Sequence, residues 1–414
     1  MSVVGFITEY NPFHYGHKYH LDQSKKQTNA DFSIAIMSGS FLQRGEPSLI
    51  DKWTKAKMAV DNGVDLVLEL PFIFSSQSAE LFAYGGVKLM DSLNIVDYLA
   101  FGSETGELEP LHKISQVLSN EPEYYKQILK YNLNEGLSYS VSRSNALEEY
   151  MKVSVLDKDY DYKQILKQSN NILGIEYLKA LIKINSRIKP IVIKRSGSNY
   201  NDISLSNGFA SATAIRREIK TNGLSCAENL VPTETYYRLE EYLRKYRHFN
   251  TLENYNQILL YLLRTIDKDK LKNLMDIEIG LENRIIECGY NDNNIIKIID
   301  SIITKRYPKT RIQRLIIHLL NQLDGPTFKE LYISYPSYIR VLGANKNGLL
   351  LLNRIKEKSS LPIITKFADY KKHEDKFLEK ILHFDKQATD IFFMGINSPK
   401  VLTNMDYYNS PYIK

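Results

Sequence analysis

The sequence is poor in cysteine, with Cys226 and Cys288 as the only two in 414 residues. Two cysteines are too few for a disulfide scaffold and too sparse for a metal cluster. No apolar run reaches the roughly 18 residues that a membrane span needs, and Glu9 interrupts the stretch where a signal peptide would be apolar. We therefore expect a cytoplasmic protein that is neither secreted nor embedded in a membrane.

A strong excess of charge is also missing, since 54 Lys and Arg stand against 48 Asp and Glu, a net charge of +6. A nucleic-acid partner would therefore meet local basic patches rather than a uniformly basic surface. The hydrophobic content of 43% allows a sizeable core in two or three domains. Tyrosine is abundant at 29 residues, and we expect most of these rings in the core rather than stacked on bases.

Short apolar runs alternate with helical stretches through the first half of the chain. The pattern predicts strands at residues 3–7, 32–37, 64–68, 96–101 and 190–194. It predicts helices at residues 17–26, 51–62, 76–90, 175–184 and 210–220. This alternation indicates an α/β fold with a Rossmann-like parallel sheet. Asn11, Ser38, Glu69 and Gly102 follow strands, so we expect the loops at these positions to converge on one crevice beyond the strand ends.

The domain organisation follows from the same pattern. We expect a first domain at residues 1–222, with a helical insertion at about 107–171. Residues 223–414 are predicted to be mainly helical, because helical periodicity recurs at 234–246, 252–266, 295–304 and 310–323. A strand at 361–366 is also possible, and the last residues are rich in turn formers.

The most informative stretch places His14 and His17 around Gly16 at a strand-to-helix turn. Free N–H groups and the positive end of the dipole make a helix N-terminus a phosphate site, and two imidazoles can add donors there. Such a pair is more often surface polarity or a metal pair, but no cysteine lies nearby and Glu9 precedes the turn. We therefore predict a nucleoside triphosphate site and no protein-held metal.

The chemistry that fits this site is attack on the α-phosphorus of ATP with pyrophosphate as the leaving group. That reaction needs stabilisation of developing charge, which His14 and His17 supply as predicted catalytic residues. Lys18 is predicted to help, with an ordinary solvated lysine as the alternative. Ser211 or Thr213 caps a second helix start that can meet the β- and γ-phosphates, with a simple N-cap as the alternative. Arg195, after a strand, suits phosphate or adenine, with a solvated surface residue as the alternative.

Taken together, these motifs closely resemble the bacterial tRNA(Met) cytidine acetate ligases. The resemblance rests on Gly-Phe-Ile-Thr-Glu-Tyr-Asn-Pro-Phe-His-Tyr-Gly-His at residues 5–17 and on residues 37–47, 67–71, 101–104, 170–177, 211–216, 280–285, 304–307 and 310–314. The His-x-Gly-His element alone would indicate only the wider nucleotidyl-transferring superfamily, so the assignment depends on the combination.

The resemblance implies that acetate and ATP form an acetyladenylate, whose acetyl group passes to N4 of the wobble cytidine of elongator tRNA(Met). Mg²⁺ is expected to accompany ATP. Asn171 is preferred over Asn170 for the ATP contact, and Ala212 stands where relatives often carry a second hydroxyl residue. The implied ATP contacts are Ile7, Thr8, Glu9, Tyr10, Asn11, Pro12, Phe13, His14, Tyr15, Gly16, His17, Lys18, Tyr19, His20, Gly102, Asn171 and Arg195, joined by Ser211 and Thr213.

The tRNA contact is expected on a short basic segment, made of Lys305, Arg306, Lys309, Arg311 and Arg314. A basic run is usually only a solvated face. Two other functions remain open from the residues alone: an adenylyltransferase for a small phosphate-bearing metabolite, and a nucleotide-sensing RNA-binding protein without catalysis. Neither a membrane nor a protein partner is predicted.

Overall fold

The strands of this computed structural model form the layer that positions the site. The structure describes residues 1–153, 160–195, 209–398 and 402–414. Its strands are β1 (Val3–Thr8), β2 (Phe32–Ser38), β3 (Leu66–Leu70), β4 (Tyr98–Ser103), β5 (Lys189–Lys194), β6 (Ile339–Ala344), β7 (Ile363–Ile364) and β8 (Tyr412–Ile413).

Helices fill most of the remaining described chain. The first half contains α1 (Tyr15–Thr28), α2 (Lys52–Asp61), α3 (Phe72–Ser75), α4 (Ala79–Ser92), α5 (Leu108–Asn120), α6 (Glu123–Asn134), α7 (Tyr139–Val153), α8 (Tyr162–Ile165), α9 (Ser169–Lys183) and α10 (Ala212–Asn222). The second half contains α11 (Thr233–Tyr246), α12 (Asn256–Thr265), α13 (Lys268–Lys272), α14 (Leu281–Asn291), α15 (Ile295–Ile302), α16 (Lys309–Asn321), α17 (Gly325–Ser334), α18 (Lys346–Lys358), α19 (Lys376–Met394) and α20 (Met405–Tyr408). Short 3-10 turns lie at Leu224–Ala227, Leu252–Tyr255 and Phe367–Lys372.

Within the described ranges, the strands form one sheet in the order β5-β4-β1-β2-β3-β6-β7, with β8 also on β6. The pairs among β1 to β5 are all parallel. Strand β1 lies between β2 and β4, so the chain leaves it in one direction for β2 and β3 and returns on the other side as β4 and β5. Ligands bind at such a reversal of strand order.

The predicted parallel sheet is confirmed, and the burial of its strands explains why the apolar runs predicted it. Every residue of β2 and β3 is buried, and β1 is buried except for a half-buried Ile7. Sheets covered on both faces read as continuous apolar runs, which is the pattern that the sequence shows. Helix α4 packs against β1, β2 and β3, and α18 packs against β2, β3 and β6.

The C-terminal half contributes more than helices. Strand β6 pairs with β3 in the antiparallel direction and carries β7 and β8 on parallel ladders. Thus the segment after residue 222 is mainly helical, as predicted, and it also extends the N-terminal sheet, which was not predicted. The strand expected at 361–366 is only Ile363–Ile364 long. A domain boundary at 222 stays a prediction.

Two element boundaries were missed for local reasons. The helix predicted at 76–90 begins later, at Ala79, because the Ser78 hydroxyl accepts a hydrogen bond from Leu81 N (3.3 Å) and caps its start. The helix predicted at 175–184 begins earlier, at Ser169. Helices α5 to α8 occupy the described part of the predicted insertion at 107–171. No helix in the described ranges is both long and apolar enough to cross a membrane.

Candidate active site

A cleft of about 440 Å³ opens beyond the carboxyl ends of β1, β4 and β5. The N-termini of α1 and α10 both border it, so two sets of free helix N–H groups and two positive dipole ends meet at one place. Among the residues predicted from sequence, the cleft is lined by Ile7, Thr8, Glu9, His14, Gly16, His17, Tyr19, His20, Gly102, Arg195, Ser211 and Thr213.

His14 and His17 are locked together at the start of α1. The His14 Nδ1 accepts a hydrogen bond from Gly16 N (3.0 Å), and His17 Nδ1 accepts one from His14 N (3.3 Å). Their rings stack with centroids 3.8 Å apart. Because each Nδ1 is an acceptor, each neutral ring carries its proton on Nε2. The turn therefore presents two N–H donors of fixed tautomer.

The histidines of this helix are held in the neutral form. Burial, aided by the positive charges of Arg195 and Arg216, lowers the pKa of His14 to about 3. Burial and the adjacent His14 hold the pKa of His17 well below its usual value. Burial and Arg195 lower the pKa of His20 to about 4. A bound polyanion would reverse part of this effect, since it favours the charged imidazole.

Gly16 is required by the seating of the His14 ring. A Cβ at this position would lie 2.8 Å from His14 Cε1 and 3.0 Å from His14 Nδ1, closer than carbon atoms pack. The same Cβ would lie 3.6 Å from Phe209 Cβ, in the segment that leads into α10. The glycine thus lets the imidazole fold back onto the helix start.

The turn between β1 and α1 is fastened to the β2–α2 loop. Glu9 Oε1 accepts a hydrogen bond from Gln43 N (2.7 Å), and Asn11 Oδ1 accepts one from Leu49 N (2.7 Å). Tyr10 adopts a left-handed backbone conformation, with φ of 46°, and its ring packs against His17. Asn11, Pro12, Phe13 and Tyr10 are buried and do not line the cleft, whereas Tyr15 is exposed. These five residues shape the turn.

Lys18 does not join the cleft. Its side chain is 41% exposed on the outer face of α1, and Nζ forms an ion pair with Asp22 Oδ1 at 2.6 Å. This is the solvated arrangement given above as the alternative for Lys18. Its partner Asp22 does not line the cleft. Its catalytic role stays a prediction that the geometry does not favour.

The structure places Asn170, rather than the preferred Asn171, on the cleft wall. Asn171 is fully buried, and its Oδ1 accepts hydrogen bonds from Ser103 Oγ (2.6 Å) and Glu104 N (3.0 Å). Asn170 Oδ1 instead accepts one from Arg195 Nη1 at 3.3 Å. The polar atoms of Asn171 are therefore used inside the protein, and the asparagine facing the cleft is its neighbour.

The start of α10 confirms Ser211 as the N-cap, since its hydroxyl accepts a hydrogen bond from Ala214 N (3.2 Å). One turn further along, Arg216 lines the cleft as well. It donates to Asn11 O (3.0 Å) and to Glu46 Oε2 (3.2 Å), and so ties α10 to the turn that carries the histidines. Its place at the end of Ser-Ala-Thr-Ala-Ile-Arg was the available signal in the sequence.

Other cleft residues were not predicted. Arg44 and Lys194 add positive charge to the lining, and Gln43 lies beside Glu9.

A second part of the cleft is apolar and suits a flat base. It is formed by Ile7, Phe82, Ala100, Phe101, Ile172, Leu173, Tyr177 and Ile193. Among the described residues, no group of three or more His, Cys, Asp or Glu side chains is placed to hold a metal ion.

The basic segment predicted to bind RNA is largely paired with acids. Glu278 binds Arg306 (2.8 Å) and Arg311 (2.7 Å), Asp276 binds Arg311 (3.4 Å) and Arg314 (3.8 Å), and Asp300 binds Lys309 (3.1 Å). Arg314 is buried. Thr310 lines the cleft, so this segment does lie beside the site. Lys305 is exposed at the same place.

Comparison with known proteins agrees with this geometry. A protein of a Thermoanaerobacter species named tRNA(Met) cytidine acetate ligase is 44% identical over 414 residues and covers all of both chains. One of the same name from Clostridium perfringens is 40% identical over 415 residues, again covering all of both chains. The sequence similarity therefore extends through the helical half as well as the cleft.

Two solved structures share the whole fold. Thermotoga maritima TmcAL bound with alpha-thio ATP superposes with a TM-score of 0.92 at 31% identity, covering 100% of this chain and 99% of the other. The apo form of TmcAL gives a TM-score of 0.95 at 32% identity with the same coverage. The sequence model of the HIGH nucleotidyl transferases matches residues 1–406. The chain belongs to the HIGH nucleotidyl transferase family.

Proposed function

We propose that this protein is an ATP-dependent ligase that joins acetate to N4 of the wobble cytidine of elongator tRNA(Met), giving N4-acetylcytidine, AMP and pyrophosphate. One observation carries the proposal: two neutral imidazole donors at the N-terminus of α1 face a cleft that the N-terminus of α10 also borders. The names of the relatives and the ATP analogue held by one solved relative support the same reaction.

In the first step, an acetate oxygen attacks the α-phosphorus of ATP and pyrophosphate leaves with the electron pair of the broken P–O bond. The Nε2–H groups of His14 and His17 donate to phosphate oxygens as negative charge develops, and Arg195 and Arg216 add fixed positive charge. A well-placed donor of this kind contributes about 3 kcal/mol to transition-state stabilisation.

In the second step, the exocyclic N4 amine of the cytidine attacks the acetyl carbonyl carbon. The bond between the carbonyl carbon and the phosphate oxygen breaks, AMP leaves with its electron pair, and the amine releases one proton to water. The cytidine must be unstacked to reach the cleft. The polar side chains of Gln43 and Arg44 line the side of the cleft next to the β2–α2 loop, where such an acceptor can enter.

ATP occupies the cleft in this proposal with its base against the apolar wall and its phosphates between the two helix starts. Mg²⁺ enters as the counter-ion of the triphosphate and neutralises its charge. Asn170 replaces Asn171 as the proposed contact, because it is the asparagine that lines the cleft. Lys18 is left out, because it pairs with Asp22.

The tRNA reaches the cleft past the start of α16, where Thr310 lies on the lining and Lys305 is exposed. We propose that Lys305, Arg306 and Lys309 contact phosphates there, and that Arg311 and Arg314 hold the supporting loop through Asp276 and Glu278. A tRNA substrate places the reaction in the cytoplasm.

The test is mass analysis of nucleosides from elongator tRNA(Met) incubated with purified protein, ATP and isotopically labelled acetate. Labelled N4-acetylcytidine that requires all three components establishes substrate, donor and product together. Intact ATP and tRNA with no labelled cytidine would refute the ligase. Pyrophosphate release that depends on a phosphate-bearing metabolite instead of acetate would indicate the adenylyltransferase.

A further inference from the structure

A buried lysine lies under the floor of the cleft, where no motif marks it. Lys55, on α2, has no exposed surface. Its Nζ lies 2.8 Å from Ser38 O, 2.8 Å from Gly39 O and 3.3 Å from Glu9 O. These carbonyl groups belong to the carboxyl ends of β1 and β2. The three N–H groups of one ammonium are thus shared between the two strand ends.

Lys52, three residues earlier on the same helix, shows that this arrangement is distinct from an ordinary buried ion pair. Lys52 Nζ meets the carboxylates of Glu69 and Asp406, each at 2.8 Å, and neither lysine lines the cleft itself. Lys55 bonds only to backbone carbonyls in the described chain, although burying an ammonium is costly. The strand ends that Lys55 joins therefore indicate its role better than its charge does.

The strand ends that Lys55 joins both lead into the cleft. Glu9 is followed by the turn that carries His14 and His17, and Gly39 is followed by the loop that carries Gln43 and Arg44. The same two segments meet a second time, because Gln43 N donates to Glu9 Oε1 at 2.7 Å. The two hydrogen-bonded contacts continue the junction of β1 and β2 beyond their last ladder pair, Thr8 and Met37, into two segments that line the cleft.

We propose that Lys55 is a positioning residue for adenylate formation, which acts by holding the histidine turn against the β2–α2 loop. The reaction that Lys55 would serve rests on the proposed function. Its geometry rests on the contacts described above. Loss of the ammonium frees both strand ends, and a shift of about 1 Å at a reacting group costs about 100-fold in rate. Substrate affinity, which many other contacts supply, changes far less.

The experiment uses chemical rescue. In a full-length background carrying Cys226→Ser and Cys288→Ala, Lys55→Cys is alkylated with 2-bromoethylamine in denaturant and refolded, which restores an ammonium on a side chain of nearly the same length. Lys57→Cys, on the same helix and partly exposed, is the matched control. Acetate-dependent exchange of pyrophosphate into ATP gives kcat and KM, and ¹⁵N NMR follows the His14 and His17 rings.

For Lys55→Cys we expect kcat to fall about 100-fold with the KM for ATP changed less than about threefold, and aminoethylation to restore most of kcat. The His17 Nδ1 signal should shift and return in parallel. A normal kcat, or rescue of the unfolding midpoint without kcat, overturns the inference. If even the Lys57→Cys control shows no acetate-dependent exchange, the proposed function fails instead, and an unchanged His17 signal in Lys55→Cys then refutes the positioning role.

Discussion

At the scale of single residues, protonation and tautomer define the site. His14 and His17 use their Nδ1 atoms to accept hydrogen bonds from the helix start, which leaves the Nε2–H groups for a ligand. His20 completes a row along the same helix, and its Nε2 is buried with no hydrogen-bond partner among the described residues. A buried polar atom of this kind is satisfied when a ligand arrives.

His17→Ala should lower acetate-dependent ATP–pyrophosphate exchange by about 100- to 1,000-fold, because it removes one preorganised donor to the phosphates. Binding of tRNA, measured by filter retention, should change by less than about twofold, since α16 does not depend on this ring. Lys26→Ala, at the exposed far end of α1, is the matched control. Equal losses of exchange and tRNA binding would contradict the assigned role.

At the scale of elements, the site depends on how helices are anchored to the strand ends. Helix α10 is tied to the turn after β1 by side-chain contacts. Arg216 is prominent among them, because it bridges Asn11 O and Glu46 Oε2. Gln43 and Glu46 then link the β2–α2 loop to the same assembly.

Arg216→Met should raise the KM for ATP and lower kcat/KM for exchange by about 10-fold or more, because the start of α10 loses its anchor and the cleft loses a positive charge. Arg217→Met is the control, since its side chain is 48% exposed and, within the described ranges, its ion pair with Glu218 is distant (4.0 Å). Steady-state exchange kinetics at varied ATP make the comparison. Equal effects of both substitutions would show that the positive charge on α10, and not the contacts of Arg216, determines the exchange kinetics.

The basic segment at the start of α16 contains side chains that stabilise the fold and side chains that are open to solvent. Arg314→Ala should lower the free energy of unfolding by about 1 kcal/mol, because Asp276 loses one of its two arginine partners and keeps Arg311. Lys305→Ala should leave stability unchanged and weaken tRNA binding, with the slope of log K against log salt reduced by about one. Urea unfolding and salt-dependent filter binding measure the two effects. The reverse assignment, with Lys305→Ala destabilising, would contradict it.

At the scale of the whole molecule, folding stability depends on the neutral histidines. Their folded-state pKa values lie below the unfolded value of 6.5, at about 3 for His14 and about 4 for His20, and His17 and His318 shift in the same direction. Below that value the unfolded chain binds protons that the folded chain does not, so stability falls as pH decreases. Asp385 opposes this, because burial raises its pKa to about 7.

The free energy of unfolding should therefore fall between about pH 7 and pH 5.5, with each buried histidine contributing at most about 1.4 kcal/mol at the lower value. His20→Gln should reduce this pH dependence by one such share, because it removes one of these titrating groups while keeping a polar side chain. Urea titrations at several pH values measure the slope. An identical slope in the variant would show that His20 binds protons equally in the folded and the unfolded chain, and would contradict its lowered pKa.

Local sequence patterns were sufficient for much of the architecture. The strands β1 to β5, the parallel sheet and the cleft at the strand ends all follow from apolar runs and breaks within about ten residues, and helix starts such as Ser211 follow from capping chemistry. His14, Gly16 and His17 could be assigned because the chemistry of their turn is local. The strand β8 was missed because two residues carry too little pattern, and β6 was missed because its partner β3 lies far away in the chain.

The sequence alone determined that the chain has a strand-turn-helix element with His14 and His17 at its turn, a mostly parallel sheet and a mainly helical second half. Tertiary structure decided which side chains face the cleft. It turned Asn170 inward to the site and used the polar atoms of Asn171 elsewhere, brought Arg216 to the histidine turn, and paired Arg311 with Asp276 and Glu278. The physical reason is that periodicity depends on neighbours in sequence, whereas hydrogen bonds and ion pairs of side chains depend on residues that only folding brings together.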